Sequence, residues 1–269
     1  MTRGPQRIVC LTEEPTEVLY ALGEERRIVG ISGFTVRPPR ARREKPKVSA
    51  FTSAKIDAIL ALEPDFVVGF SDIQADIARD LVRAGIEVWI SNHRSVEGIL
   101  DYIVRLGALV DAAPAAGAYV ERARAHLDEV GQAALKFPRR PRVYFEEWDE
   151  PMISAIRWVS ELVAVAGGVD VFEELGRHAG GKDRIVADPA EPPRRAPDIV
   201  VGSWCGKKFR PERVAARPGW AGMPAVARGE LHEIKSCDIL QPGPAALTDG
   251  LEQLHALFAA WAAKQGAAG

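Results

Sequence analysis

The chain has 269 residues, 47% hydrophobic and 27% charged, a globular composition that excludes a disordered chain, a fibre and a disulfide-stapled miniprotein. With 35 Lys and Arg against 37 Asp and Glu the formal charge is -2, which gives no basic footprint for a nucleic-acid backbone. Cys10, Cys205 and Cys237 form no C-x-x-C pair, so neither a disulfide framework nor a structural zinc site is supported.

No apolar run reaches the roughly 18 residues of a membrane span, so no membrane insertion is expected. Only five uncharged residues lie between Arg7 and Glu13, fewer than the roughly 7–15 of an export signal. The chain as written is therefore expected in the cytoplasm, or in the periplasm if a leader precedes it.

Along the chain, Arg7-Ile8-Val9-Cys10-Leu11 reads as a strand, followed by an acidic loop Glu13-Glu14-Pro15 and a helix to Gly23. Arg142-Val143-Tyr144-Phe145 repeats the pattern, with the loop Glu146-Glu147-Trp148-Asp149-Glu150-Pro151 and a helix to Gly167-Gly168. A second pair is sharper. Pro64-Asp65-Phe66-Val67-Val68-Gly69 matches Pro197-Asp198-Ile199-Val200-Val201-Gly202, in each case a turn and then an apolar run without alternation, as in a parallel strand covered on both faces. Gly85-Ile86-Glu87-Val88-Trp89-Ile90 pairs likewise with Gly229-Glu230-Leu231-His232-Glu233-Ile234. Three matches in the same order predict a duplicated α/β unit.

Between the copies, Val120, Ala123, Leu127, Val130 and Ala134 recur at spacings of 3 and 4, the mark of one helix face. Asp111 reads as its N-cap and Pro138 as its stop. The expectation is an α/β fold of two Rossmann-like lobes with mostly parallel sheets, residues 1–110 and 139–269, joined by a long helix over 111–138. Ligand would bind in a cleft faced by the carboxyl ends of the strands.

In this order and spacing, Pro15-Thr16-Glu17, Val29-Gly30-Ile31-Ser32 before Pro38-Pro39, Val48-Ser49, Ala61-Leu62-Glu63-Pro64-Asp65, the long helix, and Glu161-Leu162 before Ala166-Gly167-Gly168 resemble a known family. It is that of the helix-linked substrate-binding proteins of ABC importers, closest to the members that bind cobalamin. The resemblance implies a monomeric, non-enzymatic receptor with no required cofactor. It would hold cobalamin or a related corrinoid in the cleft and dock on an ABC permease through one acid per lobe, at positions matching Asp57 and Glu191.

The resemblance places Phe34, Phe51 and Phe70 at the cleft border. Trp148, Trp158 and Trp204 are expected on or after the second lobe's strand-end loops. Such rings suit a large flat ligand that loses water across both faces. Glu13 and Glu14, and in the second lobe Glu146, Glu147 and Asp149, could accept hydrogen bonds from a corrinoid's amides. Capping of a helix N-terminus is the structural account of such carboxylates. Arg37, Arg157, Lys207 and Lys208 are candidates for phosphate or carboxylate groups.

Cys205, after an expected buried strand, reads as a nucleophile, a soft ligand or a plain small loop residue. Among five histidines only His93 and His178 are placed to reach the cleft, and no H-x-x-x-H pair predicts a metal. Gly176 to Asp183 comes one residue from a phosphate-binding loop, but Asp183 stands where Ser or Thr is required. Two other readings stay open: a binder of ferric siderophore or another metal chelate, and a cytoplasmic chelatase-like enzyme or cofactor chaperone.

Overall fold

The computed structural model describes residues 4–266. The chain forms two compact units: one takes it up to His93 together with Glu97–Arg122, and the other takes Arg94–Val96 and the chain from Ala123 onward. In the first unit, β1 (Ile8–Cys10), β2 (Ile28–Ser32), β3 (Lys47–Ser49), β4 (Phe66–Phe70) and β5 (Val88–Ser91) pair in the order β3-β2-β1-β4-β5, all parallel. β1 and β4 are buried along their whole length, which is why their sequences lack a polar face.

The second unit contains β6 (Arg142–Asp149), β7 (Met152–Ser154), β8 (Val169–Asp170), β9 (Ile199–Gly202) and β10 (Leu231–Glu233). The order is β10-β9-β6-β7, with β8 beside the start of β6. Among these strands only the β6 to β7 pairing is antiparallel.

Two expected loops prove to be regular structure. β6 continues through Glu146-Glu147-Trp148-Asp149, turns at Glu150 and Pro151, and returns as β7. Glu146 and Glu147 meet different arginines, Arg217 and Arg184, so the strand can carry these carboxylates inside the fold. Glu13 and Glu14 form the first turn of helix Glu13–Ala21.

The duplication extends to individual hydrogen bonds. Asp65 accepts from the backbone N–H groups of Gln6 and Arg7 at 2.7 and 2.8 Å, and Asp198 accepts from that of Arg142 at 3.0 Å. The Arg7 guanidinium donates to the carbonyls of Leu62 and Glu63, and that of Arg142 to the carbonyl of Arg195. In each unit one Asp and one Arg thus fix the central strand to the turn that feeds its neighbour.

The long helix spans Ala113–Ala134, shorter at both ends than the sequence pattern suggests. Asp111 does not cap it: its backbone is left-handed, φ 60°, and its carboxylate accepts from Gly4 N–H at 2.8 Å. Val120, Ala123, Val130 and Ala134 of the expected stripe are buried and Leu127 is half-buried. The boundary between the units falls within this helix, after Arg122. No described helix is long and apolar enough to cross a membrane.

Candidate functional site

In the first unit the chain lays β2 and β3 outward on one side of β1, then crosses to place β4 on the other side. The carboxyl ends of β1 and β4 therefore flank a topological switch point, where diverging loops leave a crevice. In the second unit β6 and β9 stand in the same relation, with β7 on the far side of β6.

At the exit of β1, Glu14 is buried; one carboxylate oxygen accepts the Thr12 hydroxyl at 2.6 Å and the other has no hydrogen-bond partner among the described residues. Burial, with the nearby Glu17 charge, pushes its carboxyl up to about 7. Burial and the charges of Glu14 and Glu17 push Glu13 up to about 8. Burial thus favours the protonated form of both carboxyls, and in that form they can donate hydrogen bonds as well as accept them.

The loop after β2 presents Phe34 with 54% of its surface exposed, yet its backbone is fixed. Phe34 N–H donates to the Ser32 hydroxyl at 3.2 Å, Gly33 N–H donates to the Ser49 carbonyl, and the Arg42 guanidinium donates to the carbonyls of Gly33 and Thr35. Half-buried Phe51 follows β3. Buried Gln74 donates through its amide nitrogen to the Phe51 carbonyl and accepts from Phe70 N–H through its amide oxygen, both at 3.0 Å. Phe70 itself is buried, edge-on to His93, which in turn stacks on Tyr102. His93 is thereby held in an aromatic row, and Arg37 is paired to Glu17 at 3.1 Å.

In the second unit each β6 carboxylate has an internal cation. Glu146 is bound by both Arg217 nitrogens at 2.6 and 2.9 Å. Glu147 pairs with Arg184, which is only 2% exposed, at 2.5 Å, and Asp149 pairs with Lys207. The Lys207 ammonium also lies 4.2 Å from the Trp148 ring centre and 5.4 Å from that of Trp204. Trp204 is 4% exposed and donates its indole N–H to Glu146 at 3.0 Å. Exposed Cys205 and Lys208 follow it.

Trp158 stands apart from this group. It lies 2% exposed on the buried face of helix Arg157–Val165, and its indole N–H donates to the Ile239 carbonyl at 2.9 Å, so the structure makes it a core residue and not a strand-end one. Arg157 on the same helix pairs with Glu161, and His178 is exposed. No group of three or more His, Cys, Asp or Glu is placed to hold a metal ion among the described residues.

Asp57 is exposed in the first turn of helix Ile56–Leu60. Glu191, in the first turn of helix Glu191–Arg195, is held by Arg195 at 2.8 Å and also by Arg194. These two guanidinium groups keep its carboxyl below the usual range.

Sequence reasoning missed Arg184, Arg217, Tyr144 and Arg42, which hold the strand ends in place. No local signal marks them, since Arg217 is 71 residues from its partner. The one available sign was indirect: carboxylates inside a strand require cations from elsewhere. A separate groove of about 580 Å³, lined by Phe66, Val88, Trp89, Arg105 and Leu109 among others, opens at the amino end of β4 and β5 and shares none of the candidate residues.

Residues 8–236 match the family model described as periplasmic binding protein. A vitamin B12-binding protein of Vibrio campbellii is 27% identical over 177 residues, 64% of this chain and 63% of that protein. A cobalamin-binding protein of Halobacterium salinarum is 24% identical over 253 residues, 89% of this chain and 66% of that one. The chain thus matches slightly under two thirds of the length of each.

Among solved structures, the periplasmic vitamin B12 binding protein BtuF of Vibrio cholerae has a TM-score of 0.74 at 19% identity, covering 94% of this chain and 96% of that one. The periplasmic heme-binding protein RhuT of Roseiflexus has a TM-score of 0.79 at 21% identity, covering 94% and 99%. These structural likenesses are ones of fold. With the family model matched across both sheets, the chain belongs to the periplasmic binding protein family.

Proposed function

We propose that this protein is a non-enzymatic receptor for a corrinoid such as cobalamin, bound by the residues at the carboxyl ends of its strands. The observation that carries the reading is Phe34, a large ring more than half exposed on a loop whose backbone is already fixed. An exposed aromatic on an ordered loop loses little entropy on binding and gains the burial of its face. In the first unit Phe51, Glu13 and Glu14 are the further proposed contacts; in the second unit the proposed contact is Trp148, with buried Trp204 beside Lys207. Glu147 and Asp149, paired with Arg184 and Lys207, shape this edge. The relatives named as vitamin B12-binding and cobalamin-binding support the choice of ligand.

Haem or an iron chelate is the second reading, supported by the neighbour named as heme-binding. The placement of His93 in a row between Phe70 and Tyr102 disfavours it as an axial haem ligand. Asp57 and Glu191 are the proposed contacts to an ABC permease.

Tryptophan fluorescence titrated with cyanocobalamin, and separately with hemin, with correction for ligand absorbance, tests the reading. Saturable quenching by cyanocobalamin at micromolar or tighter affinity, about -8 kcal/mol, is expected. Saturation by hemin alone would replace the corrinoid with haem.

A further inference from the structure

Glu146 is a buried carboxylate whose hydrogen-bonding capacity is fully used: Tyr144 O–H donates to it at 2.9 Å, Trp204 N–H at 3.0 Å, and Arg217 donates through both terminal nitrogens. Arg217 is itself stacked, its guanidinium carbon 4.6 Å from the Trp220 ring centre. A fork-shaped cation resting on an aromatic plane has little freedom to turn. Its carboxylate partner is then oriented, and so is the Trp204 N–H that this partner accepts. Phe209 packs edge-on against the Trp204 ring at 4.9 Å, which closes the remaining direction.

We propose that Arg217 is a positioning residue, which acts through Glu146 to fix the plane of the buried Trp204 ring just after β9, and so the exposed Lys207 that rests on that ring and on Trp148. The effect on ligand binding rests on the corrinoid reading above; the fixing of the Trp204 ring does not. Stability by itself accounts poorly for the pair, because two desolvated charges recover in mutual attraction about what they lose in hydration, and apolar replacements of similar volume often fold as well. What an apolar replacement does not supply is an oriented acceptor for the indole N–H.

The test compares wild type, Glu146→Gln with Arg217→Met, and Arg217→Lys, with Trp204→Phe as the spectroscopic reference. Three readouts are taken: thermal unfolding, the Trp204 contribution to near-ultraviolet circular dichroism, and affinity for cyanocobalamin. The double variant is expected to unfold within a few degrees of wild type, to lose most of the Trp204 signal, and to bind at least tenfold more weakly. Arg217→Lys, which keeps the charge without the fork, is expected to lose part of the signal and to bind with intermediate affinity.

A Trp204 signal unchanged in the double variant overturns the proposal. If the double variant does not fold, Arg217→Lys decides: an unchanged signal there overturns it equally. If wild type fails to bind cyanocobalamin, the corrinoid reading falls, and the Trp204 signal still decides the role of Arg217.

Discussion

Glu63 and Ala196 occupy the same place in the two copies of the repeat, immediately before the Pro-Asp turn, and both adopt the left-handed backbone, with φ of 46° and 47°. That conformation brings Cβ against the backbone in any L-residue other than glycine. The Arg7 and Arg142 side chains bond the carbonyls of these turns, which holds the chain there despite the strain.

Ala196→Gly is therefore expected to stabilise the second unit by about 0.5–1 kcal/mol, since the relieved strain slightly exceeds the added freedom of the unfolded chain. Glu63→Gly should do the same for the first. Urea unfolding of both variants checks this, and a lower midpoint in either would mean that the turn is not strained in solution.

Phe34 and Trp204 should respond differently to truncation. Phe34→Ala removes a largely exposed ring and is expected to leave the melting temperature within a degree or so while weakening cyanocobalamin binding about tenfold, a loss of roughly 1.4 kcal/mol. Trp204→Ala opens a cavity beside Phe209 and Tyr144 and should cost about 3–5 kcal/mol of stability. The ligand role of Trp204 is for that reason better read with Trp204→Phe. Unchanged affinity in Phe34→Ala would remove the aromatic surface from the binding account.

The pH dependence of stability follows from Glu13 and Glu14. Their folded-state values, about 8 and about 7, lie above the ordinary 4.5, so the folded chain binds more protons than the unfolded chain between these limits. Stability is then greatest at the acid end and falls as pH rises from about 4.5 to about 8, by at most about 1.4 kcal/mol per pH unit per group. Asp170, raised by burial to about 6, acts in the same direction over a narrower range. Combining Glu13→Gln with Glu14→Gln should flatten the melting profile between pH 5.5 and 8.5; profiles parallel to wild type would contradict the burial of this pair.

Gly69 and Gly202 lie at matching positions near the ends of β4 and β9, and each is crowded from outside. A Cβ on Gly202 would fall inside the Phe209 ring, and one on Gly69 would meet the Gln74 amide oxygen. Gly202→Ala is expected to cost about 2–3 kcal/mol, because a packed ring beneath Trp204 must move. Gly69→Ala should cost about 1–2 kcal/mol through the Gln74 bonds to Phe51 and Phe70 that it displaces. Denaturant unfolding of the two variants checks the order; equal and negligible losses would show that neither contact matters.

The duplicated α/β architecture is determined by the sequence alone, because its determinants are local and repeated. Apolar runs without alternation demand strands covered on both faces, as in β1, β4 and β9, and Pro64-Asp65 and Pro197-Asp198 mark the turns that feed two of them. The same signals place Glu13, Trp148 and Trp204 at or after carboxyl ends of strands, whereas Phe34 and Phe51 are placed there by the family resemblance. Only tertiary structure decided what those side chains do. Trp158 and Trp204 are alike as letters and both buried, yet one donates its indole N–H to the Ile239 carbonyl and the other to Glu146, with Lys207 over its ring. The β6 carboxylates took their cations from positions 184, 207 and 217. Charge pairing inside a fold depends on distance in space, and nothing in the spacing along the chain encodes it.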